Sequence, residues 1–211
     1  LCRLSGARRR IGFSRALVRE RPAHWFYTET LDRASDSLHV IQLNLELARL
    51  AGGEPGPARP QFQIDLPDRE AVEQLLDRHG LRRFVVINPG GGWPSKCWQP
   101  ARYGALADRL QRDLGLQVAV TTGPGEQRLY EALVAGCAWA RPAHLQVPFL
   151  QLIPLLSRAR MFIGGDTGPL HLACALGVPV VAIFGPTLPL RNGPHLTPSE
   201  VVWHPLPCSG C

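Results

Sequence analysis

The chain has 211 residues and a mass of 23.2 kDa, with 23 basic against 17 acidic side chains, a formal charge of +6 and a pI near 9.4. A hydrophobic content of 45% with 19% charged residues excludes an intrinsically disordered chain. No run approaches the ~20 apolar residues of a membrane span. All but one of the basic residues are Arg; the exception, Lys96, lies in a stretch of Gly, Pro and Trp. A compositional bias toward Arg explains why lysines are scarce, but not where the one Lys sits.

The opening, LCRLSGARRR, is charged and lacks the apolar core of a secretory signal and an initiator Met. It reads as a start inside a longer protein, and the closing PCSGC reads as a second cut. The six cysteines, Cys2, Cys97, Cys137, Cys174, Cys208 and Cys211, are scattered in a chain too large to need staples, which suits a reducing cytoplasm. Cys208-x-x-Cys211 is half of a metal knuckle with no second pair, so no metal is expected there.

Residues 1–21 carry seven Arg and one acid, Glu20, and IGF at 11–13 reads as a short strand. Leu38, Ile41, Leu45 and Leu50 recur near the helical period, predicting a helix over 36–51 that Gly52-Gly53 ends. The Gly- and Pro-rich stretch 52–61 is the best linker candidate. Thereafter strands and helices alternate. A helix is predicted over 68–80 with Gly80 as its stop, then the strand FVVI (84–87). An amphipathic helix over 101–115 carries Tyr103, Leu106, Leu110 and Leu114 on one stripe. The strand VAVTT (118–122) and a helix over 126–136 follow, then a short helix over 150–159 kinked or opened by Pro154. The strand MFIGG (161–165), an apolar helix over 169–177 and the strand VVAIF (180–184) complete the series. This rhythm argues for an α/β fold with a parallel sheet.

Ligands of open parallel sheets bind beyond the carboxyl ends of the strands. There the sequence places NPGGGWPSKCW after 84–87, GPGE after 118–122, GGDTGPLH around 164–171 and GPT after 180–184. Four glycine-bearing turns on one edge suit a ligand that approaches the backbone closely. In Gly164-Gly165-Asp166-Thr167-Gly168-Pro169-Leu170-His171, Thr167 or Gly168 can cap a helix and Pro169 suits its first turn. The N–H groups of Gly168, Leu170 and His171 are then expected to be free for an anion, helped by the helix dipole. His171 is a further donor or a packing residue. Asp166 is an N-cap or an acceptor for the hydroxyls of a neighbouring sugar. Lys96, behind Gly91 and Gly92, is a mobile point charge for a phosphate or an exposed solubilising side chain. Glu126 either accepts from ribose hydroxyls or favours the positive end of its helix. The Arg-rich start has no aromatic interleaving, so nucleic-acid binding is not expected. No D-x-D, P-loop, G-x-S-x-G or H-E-x-x-H occurs.

INPGGGWPSKCWQPARYGALADRL together with FIGGDTGPLHLACALGVPVVAIFGPTLPLRNGP resembles family 9 glycosyltransferases, the heptosyltransferases of lipopolysaccharide inner-core assembly. The family's D-[TS]-G-x-x-H-x-A-x-A-x-G pattern is matched by Asp166 to Gly177, its K-x-W by Lys96-Cys97-Trp98, and FGPT by Phe184 to Thr187. The two blocks cover a little over a quarter of the chain; the late C-x-x-C is a looser match. The resemblance implies a GT-B fold with Rossmann-like parallel sheets. Residues 1–58 would be the remnant and linker of an amino-terminal, acceptor-side domain, and 59–211 the donor-binding domain. It implies heptose or related-sugar transfer from a nucleotide-diphosphate sugar, ADP-heptose in the best-known members, with inversion and without metal or cofactor. The acceptor would be a glycolipid at the inner membrane face, and the protein a cytoplasmic, peripheral monomer. Carried over by residue, Lys96 binds the diphosphate; Gly91, Gly92, Gly168, Pro169, Leu170 and His171 surround it; Thr167 assists. Asp166 holds sugar hydroxyls, Glu126 sits near the ribose and Thr187 lines the cleft. The family's general base, an Asp early in the amino-terminal domain, has no counterpart here, so these 211 residues alone are expected to bind donor and transfer little. Two competing readings are a GT-B-like sugar-nucleotide epimerase and a non-catalytic module binding anionic lipid through the Arg-rich start.

Overall fold

The computed structural model describes residues 4–18, 20–32, 39–54, 60–205, 207 and 209. Its contacts divide the chain into two compact units, Leu1–Ala58 with Leu190–Asn192, and Arg59–Pro189 with Gly193–Cys211. In the smaller unit β1 (Ile11–Phe13) pairs in parallel with β2 (Glu29–Leu31), and α1 (Val40–Leu50) packs on them. Arg9 forms a 2.8 Å ion pair with Glu29, and Arg10 donates to the carbonyls of Phe26 and Ala7 at 2.8 and 2.6 Å. Two of the amino-terminal arginines therefore brace this unit. In α1 the fully buried side chain is Leu43, off the stripe expected from Ile41, Leu45 and Leu50, which are only half-buried. The predicted linker lacks helix or strand at its described residues, 52–54, 60 and 61, and 55–59 lie outside the described set.

The larger unit runs α2 (Leu66–Arg78), β3 (Phe84–Asn88), α3 (Pro100–Leu114), β4 (Gln117–Thr121), α4 (Gln127–Ala135), β5 (Ala143–Leu145) and α5 (Phe149–Arg158). It continues with β6 (Phe162–Gly165), α6 (Gly168–Leu176), β7 (Val180–Phe184) and β8 (Ser199–Trp203); between β7 and β8 the chain forms the short α7 (Pro189–Asn192), whose residues Leu190–Asn192 belong to the smaller unit. Six strands form one sheet in the order β5-β4-β3-β6-β7-β8, every pair parallel. The chain winds outward from β3 to β5, then returns to lay β6 on the other side of β3 and winds the opposite way.

The apolar strands serve two cores at once. Phe84 and Val86 face one core with Phe162, Val72 and Leu76 of α2, Leu155 and Leu156 of α5 and Leu170 of α6. Val85 and Ile87 face the other with Val118, Val120, Ile163, Tyr103 and Leu110 of α3 and Leu133 of α4. Helices on both faces are why the strands read as continuous apolar runs rather than alternating ones. Ala107 completes the α3 stripe, whereas Leu114, expected on it, is 57% exposed at the helix end. Gly115 and Gly177 take left-handed conformations, φ +60° and +76°, and terminate α3 and α6.

Three strands escaped the sequence pattern. β2 and β5 have three residues each, with Pro142 and Pro148 close to β5. β8 mixes Ser and Glu with Val and Trp because it is an edge strand, largely exposed. It pairs with β7 from Ser199 to Trp203. Helix α5 runs through Pro154 rather than opening at it, burying Leu152, Ile153, Leu155 and Leu156. Cys2, Cys208 and Cys211 lie outside the described residues.

Helices α3 and α4 approach to backbone contact. A β-carbon on Gly104 would collide with the Leu133 carbonyl, and one on Gly136 with the Ala101 carbonyl. The loop after α4 is fastened by Asp108, whose buried carboxylate accepts the N–H groups of Ala138, Trp139 and Ala140 at 2.6, 3.2 and 2.8 Å. Those bonds hold its pKa below the usual carboxylate range. Gly104→Ala is expected to lower unfolding stability by about 2 kcal/mol or more in urea titrations. Asp108→Asn is expected to lower the melting temperature at pH 7. Because the folded pKa is depressed, that difference should shrink as pH falls below the unfolded value of about 4.

Candidate functional site

The sheet reverses its winding between β3 and β6, and the crevice beyond the carboxyl ends of those strands is the binding position of such folds. Both motif blocks meet there. The loop after β3 crosses toward β6 and β7 and is seated on glycines. A β-carbon on Gly165 would lie 3.0 Å from the Lys96 carbonyl, and one on Gly185 2.9 Å from the Ser95 carbonyl. A β-carbon on Gly90 would collide with the Glu126 carboxylate. These three glycines therefore make room for the protein's own loop and side chain, a use of the glycine turns that the sequence did not reveal. At Gly92 and Gly168 a β-carbon would meet nothing within 4 Å.

Residues Pro94–Lys96 form a single 3-10 turn in which the Lys96 N–H donates to the Trp93 carbonyl at 2.9 Å. Trp98 anchors the end of the loop, meeting the buried ring of Tyr103 edge-on with centroids 4.8 Å apart. Cys97 Sγ lies 3.5 Å from the Trp93 carbonyl, and burial with the nearby Glu126 charge pushes its thiol pKa up. Trp93 itself is 65% exposed.

Lys96 Nζ donates to Asp166 Oδ2 at 2.8 Å, and His171 Nε2 lies 3.2 Å from Asp166 Oδ1. The Asp166 side chain is 8% exposed, Lys96 23% and His171 40%. Burial alone would push the Asp166 carboxyl up; the hydrogen bonds from His171 and Lys96 outweigh it and hold the group well below the usual carboxylate range. Thr187 Oγ1 is buried beside this carboxylate and adds to the lowering, yet stands outside hydrogen-bonding geometry, with no partner among the described residues. Asp166 is therefore not the helix cap. Thr167 holds that position, with its hydroxyl donating to the Gly165 carbonyl at 3.3 Å instead of capping.

The start of α6 differs from expectation in one respect. The His171 N–H already donates to the Thr167 carbonyl, at 3.3 Å. The N–H groups of Gly168 and Leu170 donate to nothing among the described residues. Pro169 occupies the first turn, and the Leu170 side chain is fully buried. Glu126 stands at the start of α4 and accepts the Gly123 N–H at 2.7 Å, so it bridges the loops after β3 and β4. The structure thus brings Lys96, Asp166, His171 and Thr187 together, places Gly91 beside Thr167, and sets Glu126 on the β4 side of Gly90.

Other side chains on this edge went unremarked in the sequence. Asn88, the last residue of β3, donates to the Thr121 carbonyl at 2.9 Å and ties the ends of β3 and β4 beneath the glycine loop. Tyr130 stacks on His144 with centroids 4.1 Å apart, and His144 Nε2 is 2.8 Å from the Thr122 hydroxyl. Burial pushes the His144 pKa down. The signal for His144 lay in β5, too short to read as a strand.

The sequence profile of glycosyltransferase family 9 (heptosyltransferase) matches residues 1–211. The chain belongs to this family. Lipopolysaccharide heptosyltransferase 3 of Escherichia coli K12 is 34% identical over 154 residues, covering 71% of the chain and 44% of the relative. The lipopolysaccharide core heptosyltransferase OpsX of Haemophilus influenzae is 24% identical over 200 residues, covering 93% and 56%. The chain spans about half the length of these relatives. Among solved structures, a family 9 glycosyl transferase from Veillonella parvula superposes with a TM-score of 0.76 at 23% identity over 94% of the chain and 57% of that structure. The E. coli heptosyltransferase WaaC with ADP gives 0.62 at 22% identity, over 90% and 58%. These neighbours share the GT-B fold. The family match favours neither the epimerase nor the lipid-binding module. Trp98→Ala is expected to leave the far-UV circular dichroism unchanged while raising proteolytic cleavage within residues 89–98, because it removes the loop's anchor on α3.

Proposed function

We propose that the chain is the donor-binding part of a transferase that moves heptose or a related sugar from a nucleotide-diphosphate sugar, ADP-heptose in the first instance, to the lipopolysaccharide core or a related glycolipid. The observation that carries this is the Lys96–Asp166–His171 cluster at the reversal of the sheet, ahead of the unpaired N–H groups of α6. Its setting in a family of heptosyltransferases supports the choice of sugar. Structures of WaaC with ADP and with ADP-2-deoxy-2-fluoro heptose support the choice of nucleotide.

Departure of the sugar leaves growing negative charge on the diphosphate. In our reading the Lys96 ammonium, the Gly168 and Leu170 N–H groups and the positive end of α6 stabilise that charge. They occupy the role a divalent cation takes in other diphosphate sites, and this supports a metal-independent reaction. Asp166 and the buried Thr187 hydroxyl face the sugar, Glu126 faces the ribose, and Gly91, Gly92, Thr167 and Pro169 line the phosphate path. Inversion at the anomeric carbon is carried over with the family resemblance. No helix among the described residues is long and apolar enough to cross a membrane. We place the protein in the cytoplasm, as a monomer working at the inner face of the membrane where its glycolipid acceptor resides.

Titration calorimetry with ADP and ADP-heptose tests this. Wild type is expected to bind both. Lys96→Ala is expected to weaken binding of ADP-heptose about tenfold or more, the value of a lost charge-assisted hydrogen bond. Lys96→Arg should already impair it, because a planar fork does not replace a compact ammonium in this turn. Wild-type affinity retained by both variants would remove Lys96 from the site.

A further inference from the structure

We propose that Asp166 is a specificity-determining residue that competes with the diphosphate for the Lys96 ammonium, so that the site favours a nucleotide still carrying its sugar over the nucleotide diphosphate left after transfer. This rests on the donor reading above. Three observations lead to it. Lys96 reaches Asp166 at 2.8 Å, so the cation meant for phosphate already has a carboxylate partner. The carboxylate is only 8% exposed and His171 stands at its other oxygen, so it lies deep in the cluster and is not free to swing into solvent. The Lys96 backbone is seated on Gly165 beside Asp166, which keeps the root of the ammonium close to its partner.

A phosphate drawn to Lys96 meets the Asp166 charge at short range and takes all or part of the ammonium from it. A buried carboxylate that loses a donor is destabilised unless another replaces it. A sugar attached to the diphosphate brings hydroxyl donors to the same place, and the Thr187 hydroxyl, without a hydrogen-bond partner among the described residues, offers a further polar contact there. A bare nucleotide diphosphate brings only acceptors and a more negative terminal phosphate. It leaves Asp166 short of a partner and repelled. Once the sugar has gone, Asp166 recovers Lys96 and the nucleotide is released.

The test is calorimetry of ADP and ADP-heptose with wild type, Asp166→Asn, Lys96→Ala and the double variant, each checked by thermal melting. Asp166→Asn is expected to bind ADP about tenfold tighter, the scale of one charged hydrogen bond, and to lose most of the preference for ADP-heptose. Lys96→Ala should cancel the gain, since the competition runs through that ammonium. A measurement on wild type stands apart from the variants. The sequence holds one Lys, so labelling lysine with 13C at Cε gives one resonance, expected to shift as ADP saturates the protein. Unchanged or weaker ADP binding by a folded Asp166→Asn, or a stationary lysine resonance at ADP saturation, overturns the inference while leaving the donor reading intact. A wild type that binds neither nucleotide overturns the donor reading and the inference with it.

Discussion

The closeness of one loop to the ends of two strands decides which side chains meet at the candidate site. The segment after β3 rests its backbone on Gly165 and Gly185, at distances a side chain would not allow. Because the loop lies there, Lys96 reaches Asp166 across a separation of 70 residues in sequence. The Trp98–Tyr103 contact and the Asn88–Thr121 bond hold the two ends of that loop, one to a helix and one to the sheet. The doubly wound order of strands brings β3 and β6 side by side, and the missing side chains let the connection pass above them.

The electrostatic consequence is a site that is balanced internally. Lys96 and Asp166 offset one another, and His171 supplies a second contact to the same carboxylate. A buried ion pair is weak evidence for stability, because desolvation takes back much of the Coulombic gain. Its position beyond the carboxyl ends of β3 and β6, where folds of this kind bind ligands, accords with the recognition role proposed above rather than with holding the fold. The fold rests on the two apolar cores and on backbone-capping groups such as Asp108.

Much of this was legible in the sequence, for physical reasons. FVVI read as a buried parallel strand, and it is buried throughout; VVAIF read as a strand, and its alternate residues Val180, Ala182 and Phe184 are buried. The two blocks around Lys96 and Asp166 could be assigned to one site because the ends of parallel strands converge on one edge. What stayed hidden depended on partners far away in the chain. Periodicity placed Leu114 in the core and overlooked Ala107, because it carries no information on where a helix leaves the sheet. Asp166 looked like a cap or a sugar ligand; nothing local reveals that its oxygens face Lys96 and His171. The glycines after the strands suggested room for a ligand, and only the packed loop shows which of them make room for protein. β5 and β8 were missed because three residues, or an exposed edge, give too little pattern.

The crossing of α3 and α4 has an evolutionary reading. Gly104 and Gly136 both face main chain: a β-carbon on Gly104 would meet the Leu133 carbonyl and the backbone of Gly136 itself, and one on Gly136 would meet the Ala101 backbone. A larger residue at one position therefore cannot be relieved by a smaller one at the other, as happens when two side chains share a gap. Each should stay fixed on its own account, and the pair should show no correlated change among relatives even though the two lie at the same helix crossing. Proximity in this fold thus does not translate into covariation where the contact is between a side-chain position and main chain.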